Sequence, residues 1–390
     1  MQDYKLPAGL RDNFGPQATQ KESVRHYLTG LFQRHHYTLI ETSLLEYRDV
    51  FGPYELQAES LYRILEANGQ DLVLRPDLTL PIARFLVTTN VSLPTSFAYV
   101  GEQFRRNRQL TGLYNQSTQA GIEMVGFQSR RAELECLTVI SELNRDLFNG
   151  LLLVELGQAR LADLVLADLP ASERQKEAIK AALFNKNVPD YEAAIAPFKR
   201  ERHYPFLAEW TWLFGKADVV EKMVAPLWVN PAAREAMQEV LDLAKLVAQL
   251  GDQELLVDFS TAAPQAYYTG VTFKAYADQT STYLVSGGRY DNLLANFQEK
   301  SEPAIGLGID VTLIAQMLER SAPRDQAKPT LVFCQLADWP TFAKRYGGDP
   351  AYEACLADSL VAARTQAAAT GQQLKVMNEE GGLNRCLKSP

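Results

Sequence analysis

The period of the apolar positions changes several times along the first 160 residues. Val24, Tyr27, Leu28, Leu31 and Phe32 recur at helical spacing and predict an amphipathic helix with one buried face. Residues 71–75 read as a short strand that Pro76 stops. Residues 96–100 and 121–125 alternate as a pair of antiparallel strands would. Residues 132–148 are helical in pattern, and 151–156 form a further strand. From about 161 to 250 the strand signals vanish and helix formers dominate, which marks a helical insertion between two stretches of sheet. Strand patterns return at 255–259, 271–276 and 282–285. The turn-rich Ser286-Gly287-Gly288-Arg289-Tyr290-Asp291 follows, and its glycine pair is expected to serve a tight turn.

A linker is expected at 321–329. Beyond it, 330–336 reads as a strand, 352–369 as a helix and 373–377 as a second strand, one β-α-β unit. The expected organisation is a domain over 1–322, including the insertion at about 161–250, and a small α/β module over 323–390.

Composition narrows the class. A chain of 390 residues, 46% hydrophobic and 22% charged, is long enough for a large core and ordinary for a globular protein. No apolar run approaches the length of a membrane span, and the N-terminus lacks a basic segment followed by an apolar one, so a cytoplasmic protein is expected. Cys136, Cys334, Cys355 and Cys386 have no metal-ligand spacing, and no metal or other cofactor is implied. A net charge of -8 disfavours a general nucleic-acid surface, although Arg105, Arg106 and Arg108 make a local basic cluster.

Five short segments carry a family resemblance. They are Leu6-Pro7-Ala8-Gly9-Leu10-Arg11-Asp12, Leu74-Arg75-Pro76-Asp77-Leu78-Thr79, and Phe104-Arg105-Arg106-Asn107-Arg108 followed by Gln119 and Glu123. The others are Ser286 to Asp291 and Ala304-Ile305-Gly306-Leu307-Gly308-Ile309. In this order, and with a helical insertion between them, they resemble the histidyl-tRNA synthetases. Ala263-Pro264-Gln265-Ala266-Tyr267-Tyr268-Thr269-Gly270 resembles that family's histidine-site signature with its arginine replaced by Ala263. The resemblance implies an α+β, class II aminoacyl-tRNA synthetase-like fold, an antiparallel sheet flanked by helices.

By this resemblance Asp77, Thr79 and Gln119 hold the α-amino group of histidine, and Glu123 and Tyr268 face its imidazole, with Tyr267 beside them. An ammonium needs acceptors, and a ring with two nitrogens needs two polar partners. Asp77 is one methylene shorter than the family's glutamate. The activation chemistry is depleted. Asn107 replaces a glutamate, Gly112-Leu113 a Gly-Arg pair, Ala263 the signature arginine and Leu313 the arginine of the last motif. Adenylate formation moves charge onto phosphates and needs positioned cations. Arg105 remains as a candidate residual phosphate contact, and no residue is assigned a catalytic role.

Within this resemblance, the regulatory subunits of ATP phosphoribosyltransferase fit each departure. Membership implies a histidine sensor that partners a short catalytic subunit, pairs with itself through the segment 6–32, and assembles as a hetero-octamer of four regulatory and four catalytic chains. It also implies feedback inhibition of the first step of histidine biosynthesis, with no nucleic acid and no membrane as partner. The rival readings are an active histidyl-tRNA synthetase, and a synthetase-like paralogue that binds RNA or another protein. The 61 residues after Pro329 are too few for an anticodon-binding domain of the usual size.

Overall fold

Strand alternation places one polar face and one apolar face back to back in a nine-stranded sheet that organises the first part of the chain. The computed structural model describes residues 5–54, 60–106, 114–251, 254–278, 280, 282–321, 328–378 and 381–385. The chain divides into two units, Met1–Arg320 and Ser321–Pro390. The first begins with α1 (Pro16–Arg34), β1 (Thr38–Leu39), β2 (Leu45–Tyr47), β3 (Arg63–Leu65) and β4 (Asp71–Leu74). Then come α2 (Thr79–Thr89), β5 (Thr95–Phe104), β6 (Gln116–Val125), α3 (Arg131–Phe148) and β7 (Leu153–Gln158).

The insertion holds α4 (Leu161–Leu166), α5 (Glu173–Phe184), α6 (Val188–Ile195), α7 (Tyr204–Glu209), the two-residue β8 (Phe214–Gly215), α8 (Ala217–Val224) and α9 (Pro231–Val247). Side-chain caps start three of these helices. Ser172 and Gln175 make a reciprocal capping box on α5, and Asn187 and Asn230 cap α6 and α9. The unit closes with β9 (Glu254–Asp258), β10 (Val271–Tyr276), β11 (Val285–Arg289), β12 (Ala304–Asp310) and α10 (Val311–Ser321).

The large sheet has the order β1-β5-β6-β12-β11-β10-β7-β9-β8, and β2-β4-β3 form a separate small sheet. The long central pairs, β5 with β6, β6 with β12, β12 with β11 and β11 with β10, are all antiparallel. Paired residues share a face. Ala98, Ile122, Ile305, Leu307 and Phe273 point one way, into a core shared with Leu28 and Phe32 of α1, Leu137 and Ile140 of α3, and the insertion helices. Phe97 and Tyr99 point the other way, toward Leu80, Ile82 and Leu86 of α2.

The glycine pair does not make a turn. Gly287 and Gly288 lie inside β11. A Cβ on Gly287 would run into the Phe273 ring and the Gly306 carbonyl, so the small residue serves close packing between neighbouring strands.

The second unit holds β13 (Thr330–Phe333), α11 (Trp339–Tyr346), β14 (Tyr352–Ala354), α12 (Leu360–Thr370), β15 (Leu374–Met377) and β16 (Leu383–Arg385). Its sheet order is β14-β13-β15-β16, with the first three strands parallel and β16 antiparallel to β15. Ala363 and Ala367 of α12 cover one face, and Phe342 of α11 covers the other. This corrects the single β-α-β unit. Residues 352–354 pair with β13 instead of starting a helix, and the helix begins only after Ser359, whose hydroxyl accepts from the Ala362 amide at 3.2 Å. Asn107, Arg108, Gly112, Leu113, Cys386 and most of the expected linker lie outside the described residues.

Candidate ligand-binding site

The register of the central sheet builds a polar floor. On β6, Gln119, Gly121 and Glu123 share the face of Phe97 and Tyr99. Opposite them on β12 stand Asp310, Gly308 and Gly306, and beyond these on β11 stand Ser286 and Gly288. The glycines leave space that the polar side chains occupy. A Cβ at Gly306 would overlap Glu123 Oε2, and one at Gly308 would press on Gln119 Nε2. Above this floor lies a cavity of about 480 Å³, lined by Asp77, Thr79, Arg105, Gln119, Glu123, Tyr267 and Tyr268 among others. Four separate stretches of chain thus bring all seven singled-out residues to one place.

Glu123 is the centre of the polar wall. It is 2% exposed. Thr79 Oγ1 donates to its Oε1 at 2.7 Å, and the Tyr290 hydroxyl donates to Oε2. Burial pushes its pKa up to about 8. The two hydrogen bonds pull against that rise, and the nearby Asp77 carboxylate adds to it. Asp77, 6% exposed, accepts the Leu80 amide at 2.9 Å through Oδ1 and so also secures the first turn of α2. Thr79 thus spends its hydroxyl proton on Glu123 and keeps its oxygen lone pairs as acceptors. Gln119 Oε1 accepts from the Tyr99 hydroxyl at 3.5 Å.

The tyrosines form a cluster around this carboxyl. The rings of Tyr267 and Tyr268 are 4.7 Å apart, and Tyr267 meets Tyr290 edge-on at 5.7 Å. Burial raises the pKa of Tyr99, Tyr268 and Tyr290 well above the ordinary phenol value, so all three remain donors. Loop 259–270 is tied to β11 by the Thr269 amide, which donates to the Arg289 carbonyl at 2.7 Å, and by Thr269 Oγ1, which accepts from Asp291 N at 3.0 Å.

The arginines divide by role. Arg75 is 3% exposed and donates to the carbonyls of Thr42, Ser43 and Glu102. Arg289 pairs with the buried Glu133 through Nε at 2.5 Å and Nη2 at 2.8 Å. Both therefore brace the scaffold. Arg105 lines the cavity and donates from Nε to the Pro76 carbonyl at 2.7 Å. Ala263 packs on the apolar cluster beneath α2, and Leu313 packs against the main core while reaching the cavity.

Sequence reasoning left several lining residues without a role. Tyr290 stands inside a motif that it did quote. Gln316, Met317 and Arg320 line the cavity beside Leu313, and their spacing of three, four and seven residues from it along α10 was a readable helical face. Tyr99 was readable as the alternate position of its strand. Among the described residues no group of His, Cys, Asp and Glu is arranged to hold a metal ion, and no helix is long and apolar enough to cross a membrane.

A profile of the histidyl-tRNA synthetase family matches residues 9–314. The chain is 98% identical over 383 residues to an ATP phosphoribosyltransferase regulatory subunit of Limosilactobacillus fermentum, covering 98% of this chain and 99% of that one. It is 39% identical over 377 residues to the regulatory subunit of Lactiplantibacillus plantarum, covering 96% and 97%. A solved Bacillus halodurans structure described as an ATP phosphoribosyltransferase regulatory subunit/histidyl-tRNA synthetase superposes with a TM-score of 0.79 at 23% identity, covering 96% and 97%. Histidyl-tRNA synthetase from Nostoc sp. PCC 7120 gives the same TM-score at 17% identity, covering 97% and 93%. The chain belongs to the ATP phosphoribosyltransferase regulatory subunits, a family with the α+β fold of histidyl-tRNA synthetase.

Proposed function

We propose that this chain is a non-catalytic sensor whose cavity binds L-histidine and which restrains a short catalytic ATP phosphoribosyltransferase chain when histidine is plentiful. The observation that carries the reading is the polar wall of the cavity. Asp77 and Gln119 offer acceptors to an ammonium, while Glu123 and Tyr268 offer partners to an imidazole. A pocket built of buried polar groups rejects ligands that leave them unpaired.

The apolar Ala263 and Leu313 support a role without amino-acid activation, since phosphate chemistry needs cations at the reacting group. A sensor without chemistry acts through another protein, and inhibition at a distance needs two states of different histidine affinity. On this reading the chain works in the cytoplasm, pairs with itself and joins four catalytic chains in a hetero-octamer at the first step of histidine biosynthesis.

The test mixes the purified chain with a short catalytic chain and follows ATP consumption with and without L-histidine. Histidine should lower the activity of the complex and leave the isolated catalytic chain unaffected. A complex indifferent to histidine, or histidine-dependent ATP–pyrophosphate exchange by this chain at a synthetase-like rate, refutes the reading.

A further inference from the structure

Glu123 is held more firmly than a simple ligand contact requires. Thr79 fixes Oε1 and Tyr290 fixes Oε2, while Oε2 rests on bare backbone at Gly306. A carboxyl tied at both oxygens and packed on a third side does not rotate freely. Tyr290 is itself fixed. It is 3% exposed, its amide donates to the Ala304 carbonyl at 2.7 Å, and its ring lies edge-on to Tyr267. The titratable groups that face Glu123 are Asp77 ahead of α2, Tyr99 on β5, Tyr268 on the loop before β10 and Tyr290 after β11, while Cys136 on α3 lies behind the sheet. Among the described residues no cation forms an ion pair with it.

We propose that Tyr290 is a positioning residue of this pocket. By anchoring Oε2 it fixes which lone pairs of Glu123 are left for a ligand, and it so selects a side chain that ends in a hydrogen-bond donor. This rests on the histidine reading of the cavity. Tyr290 acts through Glu123 and need not touch the ligand. An imidazole N–H is such a donor. A thiazole ring has nearly the same shape but offers only an acceptor nitrogen, so it brings no donor to the ionised form of Glu123.

The test is calorimetry on the whole chain with L-histidine and with 3-(2-thiazolyl)-L-alanine, from pH 6.5 to 9. The variants are Tyr290→Phe and Thr79→Val, each removing one anchor. The unaltered chain should prefer histidine on the order of a hundredfold or more. Tyr290→Phe should lose roughly tenfold in histidine affinity and little or none for the thiazole.

The acid limb of the histidine affinity curve, where protonation takes the acceptor away from the ligand, should also move to higher pH. The lost hydrogen bond favoured the ionised carboxyl, so its removal keeps the proton in the site longer. Thr79→Val should shift the curve in the same direction, and it stands in if Tyr290→Phe does not fold. Equal losses for both ligands with an unmoved pH curve would make Tyr290 a packing residue and overturn the proposal. If the unaltered chain binds no histidine, the histidine reading falls and takes this proposal with it.

Discussion

Replacing Glu123 by glutamine should stabilise the protein, and increasingly so as the pH rises. The carboxyl is buried, and its pKa stands at about 8 in the folded chain against 4.5 for an unperturbed glutamate. Between those values the native state holds a proton that the unfolded chain has released. Stability therefore falls as pH rises, by about 1.4 kcal/mol per pH unit for this one group, and the penalty levels off above the folded value. Integrated across the window, it is on the order of 5 kcal/mol.

The Glu123→Gln variant would carry no titrating group at this position. The amide oxygen can still accept from Thr79, and the Tyr290 hydroxyl can turn to accept from the amide nitrogen. The measurement is urea unfolding of both proteins at pH 5, 7 and 9, followed by tryptophan fluorescence. Trp210, Trp212 and Trp228 lie in the first unit and report on it. Every other titrating group is common to both proteins, so the difference isolates position 123. The variant should gain on the parent by several kcal/mol between pH 5 and 9. An offset that stays constant with pH, or a parent that gains on the variant, would show that the carboxyl is not held protonated by burial.

Gly306→Ala should abolish ligand binding and cost about 1–3 kcal/mol, because its methyl group meets Glu123 and stands 2.6 Å from the immobile Ile122 carbonyl. Gly308→Ala presses instead on the flexible end of Gln119, so histidine affinity should fall with little change in melting temperature; melts with and without histidine separate the two. Arg289→Met strands the buried Glu133 and should cost about 3–5 kcal/mol in denaturant unfolding. A chain carrying Glu123→Ala and Tyr268→Phe should co-elute with the short catalytic chain on size exclusion, yet leave its ATP consumption insensitive to histidine.

Period and order in the sequence made much of the fold legible. The alternation at 96–100 and 121–125 becomes the β5–β6 pair, and the face of Val24, Leu28, Leu31 and Phe32 becomes the buried side of α1. The misreadings have physical causes. Gly287 and Gly288 carry a turn composition, but the space at Gly287 is filled by Phe273 and that at Gly288 by Val271 and Thr272 of the neighbouring strand, which no local pattern announces. Residues 352–369 look helical because alanines dominate their second half, although Ser359 was a readable start signal. The motifs identified which residues converge on the cavity. They did not reveal how those residues bond to one another, since Thr79, Glu123 and Tyr290 meet across gaps of 44 and 167 positions.

The regulatory reading turns on where the cavity keeps positive charge. Ala263 and Leu313 are not open gaps; each is packed against an apolar cluster. Arg320 does not restore what Leu313 lacks. It lies seven residues further along α10, about 10 Å at the helical rise, so its guanidinium starts from a different point of the cavity lining. Arg105 also lines the cavity, with Nε already committed to the Pro76 carbonyl. Catalysis of phosphoryl chemistry demands donors within hydrogen-bond reach of the oxygens that gain charge, and a displaced cation loses most of its effect. Binding an amino acid makes no such demand, because the ground-state contacts proposed for Asp77, Gln119, Glu123 and Tyr268 would suffice. A fold in this condition can recognise a ligand without transforming it. The free energy of binding then remains available to shift the equilibrium of an assembly.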